Sequence, residues 1–322
     1  MNEFELIDRH FRRPPHNPDV RVGIGDDGAV VAPAPGMEYV LTVDMLVEGR
    51  HFAAGTDPMR LGHKALAVNL SDLAAMGALP RFALLAVALP QSDEAWVVAF
   101  MRGFDALARQ YDVELIGGDT TRGPRNLCIT AIGELPAGSA LLRSGANPGD
   151  LVYVSGTLGD AALALAVADG RSDVDPQAGA ALALRLDAPE PRVALGVALR
   201  GIASSAIDVS DGLTGDLGHV LAASRVGAAI DLASIPCASA LRGKLDSGER
   251  ELALACLLAG GDDYELCCSV PPVRLDAALA ALRAAGCAGH VIGRITADAG
   301  VRVLDARGEP VTPARRGYEH FA

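Results

Sequence analysis

Short apolar runs alternate with longer segments of helical character along the first half of the chain. Four apolar runs bounded by turn residues predict β-strands: 38–44, 81–90, 113–118 and 127–135. The segments 57–78 and 92–111 instead predict helices. Asp57 is a good N-cap for the first of these, with Pro58 at the first helical position and Gly77 near the end.

The second half of the chain continues this alternation after 136–150, a segment rich in glycine, proline and small residues. The predicted elements are a strand at 150–156, an alanine-rich helix at 157–169, two helices from Pro176 onwards, a strand in 205–213, a helix at 211–224, a strand at 228–232 and a strand in 260–270. A chain of 322 residues is about twice the length of a typical single domain. We therefore predict two α+β domains, 1–137 and 138–322.

The charge of the chain argues against several classes of partner. The sequence has 40 acidic and 28 basic residues, a net charge of −12, and no basic run that could displace counterions from a nucleic acid. The first residues lack the apolar core of a signal peptide, and no apolar run approaches the roughly 18 residues that span a bilayer. The six cysteines lack metal-ligand spacing, so we expect free thiols in a cytoplasmic protein without nucleic-acid or membrane partners.

The segment GIGDDG at 23–28 matches the glycine pattern of a dinucleotide-binding turn. That pattern has to open a helix, because the backbone N–H groups of the helix meet the pyrophosphate. Here Pro33 and Pro35 prevent a helix, and Asp26 and Asp27 would repel a pyrophosphate. We therefore interpret the match as accidental. The sequence also contains no P-loop and no protein-kinase signature.

Acidic residues recur where predicted strands end or where glycine is adjacent. They are Asp27, Asp44, Asp72, Asp119, Asp208, Asp211, Asp262 and Asp263. Asp72 differs, because it lies inside the helical stretch NLSDLAA, where a carboxylate is costly without a partner. Mg²⁺ suits such oxygen ligands and commonly binds through a few carboxylates together with substrate phosphates. The set predicts a magnesium–phosphate protein, while each acid alone also fits a turn former or a helix cap.

Six segments carry a resemblance to a known family: VGIGDDGA at 22–29, TVDMLVEGRHF at 42–52, KALAVNLSDLAAMG at 64–77, IGGDTTRG at 116–123, IDVSDGL at 207–213 and GGDDYEL at 260–266. With the terminal GYEHF, they resemble the thiamine-monophosphate kinases, of the superfamily of aminoimidazole ribonucleotide synthetase and selenophosphate synthetase. The resemblance covers nearly the whole chain. It implies two domains of the aminoimidazole-ribonucleotide-synthetase-like type, a homodimer formed by the N-terminal domains, and ATP-dependent phosphorylation of thiamine monophosphate to thiamine diphosphate.

The resemblance also implies roles for residues at matching motif positions. The magnesium ligands would be Asp27, Thr42, Asp44, Asp72, Asp119 and Asp208, with Asp211 holding a further ion. The nucleotide contacts would be Gly118, Asp119, Arg143 and Ser210, together with Tyr111. The contacts to thiamine monophosphate would be His51, Asp262 and Tyr318. Two positions depart from the family, since Val43 replaces a frequent hydroxyl residue and Asp262 replaces a frequent glutamate of longer reach.

The implied chemistry is direct in-line transfer of the γ-phosphoryl group from ATP to the substrate phosphate. Two polyanions must approach each other, and several Mg²⁺ ions would neutralise their repulsion. A phosphate nucleophile is already ionised at neutral pH, so no general base is required. Arg143 would add a bidentate phosphate clamp, with a solvated loop arginine as the alternative. Tyr318 in the aromatic tail would lie on the thiamine ring system, with a plug of the C-terminal core as the alternative.

Several other functions compete with this one. Selenophosphate synthetase needs a reactive cysteine or selenocysteine in the N-terminal glycine-rich segment, but residues 1–127 contain no cysteine. The hydrogenase-maturation member needs a C-terminal cysteine, and this chain ends in GYEHFA. Aminoimidazole ribonucleotide synthetase stays open as an alternative, as does a non-catalytic nucleotide or Mg²⁺ sensor on the same fold. Such a sensor would bind ATP without turnover.

Overall fold

The chain folds into two compact units. The computed structural model describes residues 3–24, 28–32, 34–311 and 317. The first unit comprises Met1–Leu73 and Ala78–Gly138, and the second comprises Ala74–Gly77 and Ser139–Ala322. Each unit contains its own β-sheet.

The described residues form the following regular elements. The helices are α1 Glu3–His10, α2 Pro58–Ala75, α3 Glu94–Gln110, α4 Asp160–Ala168, α5 Pro176–Asp187, α6 Val193–Leu199, α7 Leu213–Ser224, α8 Ser239–Leu245, α9 Arg250–Ala259 and α10 Leu275–Ala284. The strands are β1 Val20–Val22, β2 Val30–Val31, β3 Met37–Val47, β4 Leu79–Leu89, β5 Glu114–Arg122, β6 Asn126–Pro136, β7 Leu151–Ser155, β8 Ser205–Val209, β9 Gly227–Asp231, β10 Glu265–Val270, β11 Gly289–Thr296, β12 Gly300–Leu304 and β13 Pro310–Val311. Two 3₁₀ turns occur at Leu232–Ser234 and Pro272–Arg274.

The first unit is built on a four-stranded sheet in the order β3-β6-β4-β5. Strands β4 and β5 run parallel, and the other neighbours run antiparallel. A parallel pair needs a crossover connection, and α3 supplies it. A side chain at Gly62 would collide with the Phe100 backbone, and one at Gly103 with the Met59 backbone. These two glycines therefore allow α2 and α3 to pack with their backbones in contact.

Helix caps in the first unit follow from the sequence. The Asp57 carboxylate accepts the Met59 N–H at 2.9 Å, and the Asp93 carboxylate accepts the Trp96 N–H at 3.0 Å. Gly77 lies just beyond α2 with a φ of +69°, a conformation that glycine adopts at low cost. The predicted start and end of this helix are thereby confirmed.

The second unit is built on a mixed seven-stranded sheet in the order β13-β12-β9-β11-β7-β10-β8. Strands β9 and β12 run parallel, while the pairs of β10 with β7 and β8 run antiparallel. Its core is mostly aliphatic, as the scarcity of aromatic residues requires. Fully buried members include Val152, Leu158, Val209, Leu258 and Ile292.

The α+β class predicted from the sequence is confirmed, and the central elements of both halves lie close to their predicted positions. The prediction missed α1, β1, β2, α8, α9, α10, β11, β12 and β13. Most of these elements have eight residues or fewer, and β11 is also interrupted by glycine in GHVIGRIT, whereas α9 and α10 have ten residues each. Residues 25–27 of the segment at 23–28 lie outside the described residues, and the described residues after it lead into strand β2 rather than into a helix. In the described part of the chain, no helix is both long enough and apolar enough to cross a membrane.

Candidate functional site

Oxygen-bearing side chains of β3 and α2 meet in the first unit. The Thr42 hydroxyl donates a hydrogen bond to the Asp72 carboxylate. One turn earlier on α2, the side chain of Asn69 accepts the backbone N–H of Asp44 at 3.1 Å. Thr42 and Asp44 lie on the same face of β3, because side chains two apart on a strand point to the same side. We call Thr42, Asp44 and Asp72 the β3–α2 oxygen group.

Asn69 supports this group and was missed by the sequence analysis. It is fully buried, and its amide donates to the Ala65 carbonyl at 3.1 Å. The available signal was a polar residue three positions before Asp72 in an otherwise apolar helix.

Val43, where the family often has a hydroxyl residue, lies 59% exposed on the opposite face of β3. A side chain at position 43 therefore does not face the oxygen group.

Gly118 and Asp119 lie on β5, at the edge of the same sheet. The strand pairing aligns Gly118 with Leu85 and, across β6, with Asp44. Asp119 is aligned with Ala86, in the next row. Because successive side chains point to opposite faces of a sheet, this register puts Asp119 on the face opposite to the β3–α2 oxygen group.

A small open cleft lies beside β5 in the first unit. It is lined by Ile7, Phe11, Ile24, Leu85, Leu115, Gly117, Gly118, Asp119 and Thr120. A side chain at Gly118 would collide with the Leu85 backbone, so the chain here passes close to β4. An apolar cleft with a few polar groups at its edge is the usual form of a small-molecule site.

His51 lies in the turn that follows β3. Its Nδ1 accepts the backbone N–H of Val47 at 3.0 Å, so the neutral imidazole carries its proton on Nε2. Arg125 anchors the turn by donating to Glu48 Oε1 at 2.6 Å. The same guanidinium lies 4.8 Å from the ring centre of Trp96. The fold thus fixes the orientation of His51 and makes Nε2 a hydrogen-bond donor.

A tight turn, Ser210–Asp211–Gly212, joins β8 to α7 in the second unit; we call it the SDG turn. One carboxylate oxygen of Asp216 accepts the backbone N–H groups of all three residues, at 3.0, 3.0 and 3.1 Å. Asp216 is buried, and burial raises the pKa of its carboxyl to about 7. Asp208, just before the turn, is buried as well. The sequence analysis missed Asp216, whose signal was an acid in the first turn of a predicted helix.

The segment 260–264 packs against the SDG turn. The backbone N–H of Asp262 donates to the Ser210 carbonyl, and that of Tyr264 donates to the Val209 carbonyl, both at 2.8 Å. Asp262 and Tyr264 have φ values of +70° and +51°, which are uncommon for residues other than glycine. The Tyr264 hydroxyl donates to Asp262 Oδ1 at 3.0 Å. The fold therefore brings Asp262 next to Ser210.

A buried carboxylate follows Asp262 directly. Asp263 accepts the backbone N–H of Gly159 at 2.6 Å and that of Ala161 at 3.4 Å. These two N–H groups belong to the start of α4. Burial raises the pKa of Asp263 well above its ordinary value, although both backbone donors act in the opposite direction.

Glu265 is the centre of a second buried network in this unit. It accepts hydrogen bonds from the Ser155 hydroxyl at 2.6 Å and from Arg185 at 2.6 Å. Arg192 adds two further bonds, each at 2.7 Å, in a bidentate arrangement. Glu265 has no solvent exposure, so two guanidinium groups and one hydroxyl compensate one fully buried carboxylate.

The remaining predicted residues lie elsewhere or outside the described residues. Tyr111 is the half-buried C-cap of α3 in the first unit. Arg143 is an exposed residue of the second unit, and its carbonyl accepts the Ser224 hydroxyl at 3.2 Å. Asp27 and Tyr318 lie outside the described residues. Within the described ranges, no three His, Cys, Asp or Glu side chains are grouped closely enough to hold a metal ion.

The chemistry of the β3–α2 oxygen group fits Mg²⁺. Its donors are two carboxylates and one hydroxyl, which are hard oxygen ligands without sulfur or imidazole. Mg²⁺ keeps several waters and needs only one or two protein carboxylates when substrate phosphates complete its shell. The two carboxylates of the β3–α2 oxygen group therefore match the number and the chemical type of protein ligands that Mg²⁺ needs. The six cysteines, by contrast, are free thiols.

These features were compared with those of known proteins. Residues 25–135 match the family described as AIR synthase related protein, N-terminal domain, and residues 147–306 match the C-terminal domain of the same description. The thiamine-monophosphate kinase of Escherichia coli (strain K12) is 47% identical over 99% of this chain and 98% of its own length.

Two solved structures are also similar to this chain. The thiamine-monophosphate kinase from Stenotrophomonas maltophilia K279a superposes with a TM-score of 0.86 at 46% identity, covering 96% of this chain and 98% of the other. AaThiL complexed with AMPPCP and TMP superposes with a TM-score of 0.78 at 29% identity, covering 90% and 89%.

Proposed function

The chain belongs to the thiamine-monophosphate kinase family and is a kinase, and from this premise we propose that it passes the γ-phosphoryl group of ATP directly to the phosphate of thiamine monophosphate. The observation that carries the proposal is the β3–α2 oxygen group, which lies in a chain 47% identical to a thiamine-monophosphate kinase. The complex of a related structure with AMPPCP and TMP supports the two substrates.

Magnesium is part of this proposal. Thr42, Asp44 and Asp72 would hold Mg²⁺ in the first unit together with Asp27. Asp119, which the strand register places on the opposite face of the sheet, would hold Mg²⁺ beside the cleft. Asp208 and Asp211 would hold Mg²⁺ in the second unit. When bound, Mg²⁺ neutralises phosphate charge and so lets two polyanions meet. Asn69 and the SDG turn would keep these ligands in position.

The substrates would be recognised by separate groups of residues. The cleft beside β5 would take part of the nucleotide against Gly118 and Asp119, with Tyr111, Arg143 and Ser210 as further nucleotide contacts. His51, Asp262 and Tyr318 would contact thiamine monophosphate. The fixed Nε2–H of His51 is a suitable donor to an anionic phosphate oxygen. The side chain of Asp262 is shorter than that of the glutamate frequent at this position of the family, but the Asp262 backbone is fixed by its hydrogen bond to the Ser210 carbonyl.

A homodimer through the first unit completes the assembly that we propose. Leu41, Val43 and Met45 form a row on edge strand β3 and are 65%, 59% and 52% exposed. Three large apolar side chains on an open sheet edge favour burial against a second copy. Light scattering at micromolar concentration should give twice the 33.1 kDa chain mass, and Val43→Asp should give the monomer. A monomeric wild-type protein would refute this part of the proposal.

A cytoplasmic location is also proposed. ATP is the co-substrate of the proposed reaction, and reduced cysteines are typical of proteins of this compartment. Oxidation of these thiols to disulfides in protein taken from cells would contradict it.

One incubation tests the reaction itself. The protein is mixed with ATP, Mg²⁺ and thiamine monophosphate, and the products are separated by chromatography. We expect thiamine diphosphate and ADP in equal amounts, and neither product once EDTA is added. A nucleotide sensor would instead bind ATP in a calorimetric titration and release no ADP. Aminoimidazole ribonucleotide synthetase would leave thiamine monophosphate unchanged.

A further inference from the structure

The SDG turn has the backbone geometry of an anion-binding site. Three consecutive backbone N–H groups, those of Ser210, Asp211 and Gly212, converge on one point just before α7. Such a concave arrangement at a helix start ordinarily attracts a phosphate. In this chain the point of convergence is occupied by the Asp216 carboxylate.

Asp216 therefore supplies an internal hydrogen-bond acceptor to the turn. Its oxygen lies 3.0 to 3.1 Å from all three nitrogens, and the residue is only 3% exposed. The Ser210 carbonyl is taken by the Asp262 N–H at 2.8 Å, so the turn is held from its other side as well. Asp211 and Ser210 are half-buried, whereas Gly212 is buried.

We propose that Asp216 is a positioning residue that fills the backbone anion site of the SDG turn, so that this turn serves cations through its side chains and does not cradle phosphate through its N–H groups. The proposal rests on the function proposed above, in which Asp208 and Asp211 hold Mg²⁺ and Ser210 contacts the nucleotide. In this proposal the side chains at the turn bind Mg²⁺, whereas a P-loop binds phosphate through its backbone N–H groups.

The wild-type protein gives a first test that needs no variant. Hydrogen–deuterium exchange is measured on the amides of residues 210–212 without nucleotide, and again with inorganic phosphate added. We expect protection in both cases and no change on adding phosphate. Exchange at the rate of an open loop that slows only with phosphate would overturn the proposal.

The second test removes the charge and keeps the size of the side chain. Asp216→Asn should accelerate exchange at 210–212 and raise the Mg²⁺ concentration at half-maximal rate by about 10- to 100-fold, the usual effect of losing a group that orients metal ligands. The KM for thiamine monophosphate should change less than about 2-fold, within the uncertainty of such mutational effects. Asp150→Asn is the control, because Asp150 is also buried in this unit and accepts the Asn147 N–H at 3.0 Å.

The outcomes separate this inference from the proposed function. If Asp216→Asn lowers the thermal midpoint but leaves the exchange at 210–212 and the Mg²⁺ dependence like those of Asp150→Asn, the role is merely structural and the inference is wrong. If the wild-type protein forms no thiamine diphosphate, the proposed function fails. In that case Mn²⁺ binding, followed by electron paramagnetic resonance in both variants, still decides whether Asp216 positions cation ligands.

Discussion

The two units use carboxylates in opposite ways. In the first unit, Asp44 and Asp72 stand on a regular strand and a regular helix, supported by Asn69 and Thr42. In the second unit, Asp216 accepts hydrogen bonds from three consecutive backbone N–H groups of a turn, and Asp263 accepts those of Gly159 and Ala161 at the start of α4. The first unit thus carries its acids on regular elements, whereas the second uses buried acids to hold loops in place.

In the proposed function, the first unit would bind metal through acids on a strand and a helix, and the second unit would do so through a loop that a buried acid holds in place. Regular elements need little help to fix a side chain, because their backbone is already bonded. Loops such as the SDG turn need a bonded acceptor for each backbone N–H group that no strand or helix partner satisfies. Buried carboxylates of the second unit, such as Asp216 and Asp263, meet that need, so we expect their loss to disturb the loops that they hold.

The largest expected effect lies in the first unit. Asp72→Asn should keep the fold and lower the rate of thiamine diphosphate formation by about 10³-fold, or roughly 4 kcal/mol of transition-state stabilisation. The reason is loss of a charged oxygen ligand from the β3–α2 oxygen group. Steady-state kinetics at saturating ATP measures the effect.

Asp57→Asn is the matched control, since Asp57 caps the same helix and asparagine caps equally well. It should leave the rate unchanged. Turnover of Asp72→Asn close to that of the control would remove Asp72 from the metal site.

The next largest effect should be on the stability of the second unit. Glu265→Gln leaves two half-buried guanidinium groups without their buried carboxylate, which should cost about 3 kcal/mol of unfolding free energy. Hydrogen exchange of β7 and β10 measures this unit directly. Glu190→Gln is the control, because Glu190 is 64% exposed and bonds Arg192 at 2.9 Å. Equal losses in the two variants would show that the buried network adds nothing.

A dependence of stability on pH should distinguish the second unit from the first. The pKa of Asp263 is raised in the folded state, so the folded protein binds more protons than the unfolded chain above about pH 4. The contribution of Asp263 to the unfolding free energy therefore falls as the pH rises, by at most about 1.4 kcal/mol per pH unit. Asp263→Asn should remove this slope.

Urea unfolding at pH 4.5, 5.5 and 6.5 checks the sign. The stability of the wild type relative to Asp263→Asn should decrease from the lowest pH to the highest. Parallel curves for the two proteins would mean that the folded state keeps Asp263 ionised through its two backbone donors.

The smallest expected effect concerns His51. His51→Asn retains an acceptor for the Val47 N–H but lacks the Nε2–H donor. The KM for thiamine monophosphate should rise about 5-fold, equivalent to roughly 1 kcal/mol, which is typical of one hydrogen bond. The KM for ATP should stay the same, and so should both constants in the exposed control His290→Asn. A change confined to ATP would reassign His51 to the nucleotide.

Local patterns predicted the regular elements well, and tertiary contacts account for what they missed. The limits of α2 followed from Asp57, Pro58 and Gly77, because capping acts within one turn. The network of Glu265 could not be predicted, since its partners Ser155, Arg185 and Arg192 lie 110, 80 and 73 residues away along the chain. Only folding brings such residues together.

The candidate site shows the same division. The acids of the proposed metal site could be selected by residue type and motif, and one of them, Asp72, is joined to the predicted ligand Thr42 by a hydrogen bond. Asn69 and Asp216 were not predicted, because both accept hydrogen bonds from backbone N–H groups and no sequence pattern marks such contacts. The face on which Asp119 lies depends on strand register, and a shift of one residue reverses it.

The stacking of Trp96 on Phe100, with ring centres 5.1 Å apart, and its contact with Arg125 give the protein an intrinsic optical label. The sequence contains one tryptophan, so all indole emission comes from this position. The guanidinium beside the ring is bonded to Glu48, at the start of the turn that carries His51. A ligand that displaces this turn would change the electric field at the indole and shift its emission. Binding to the first unit can therefore be followed by fluorescence in the unlabelled protein.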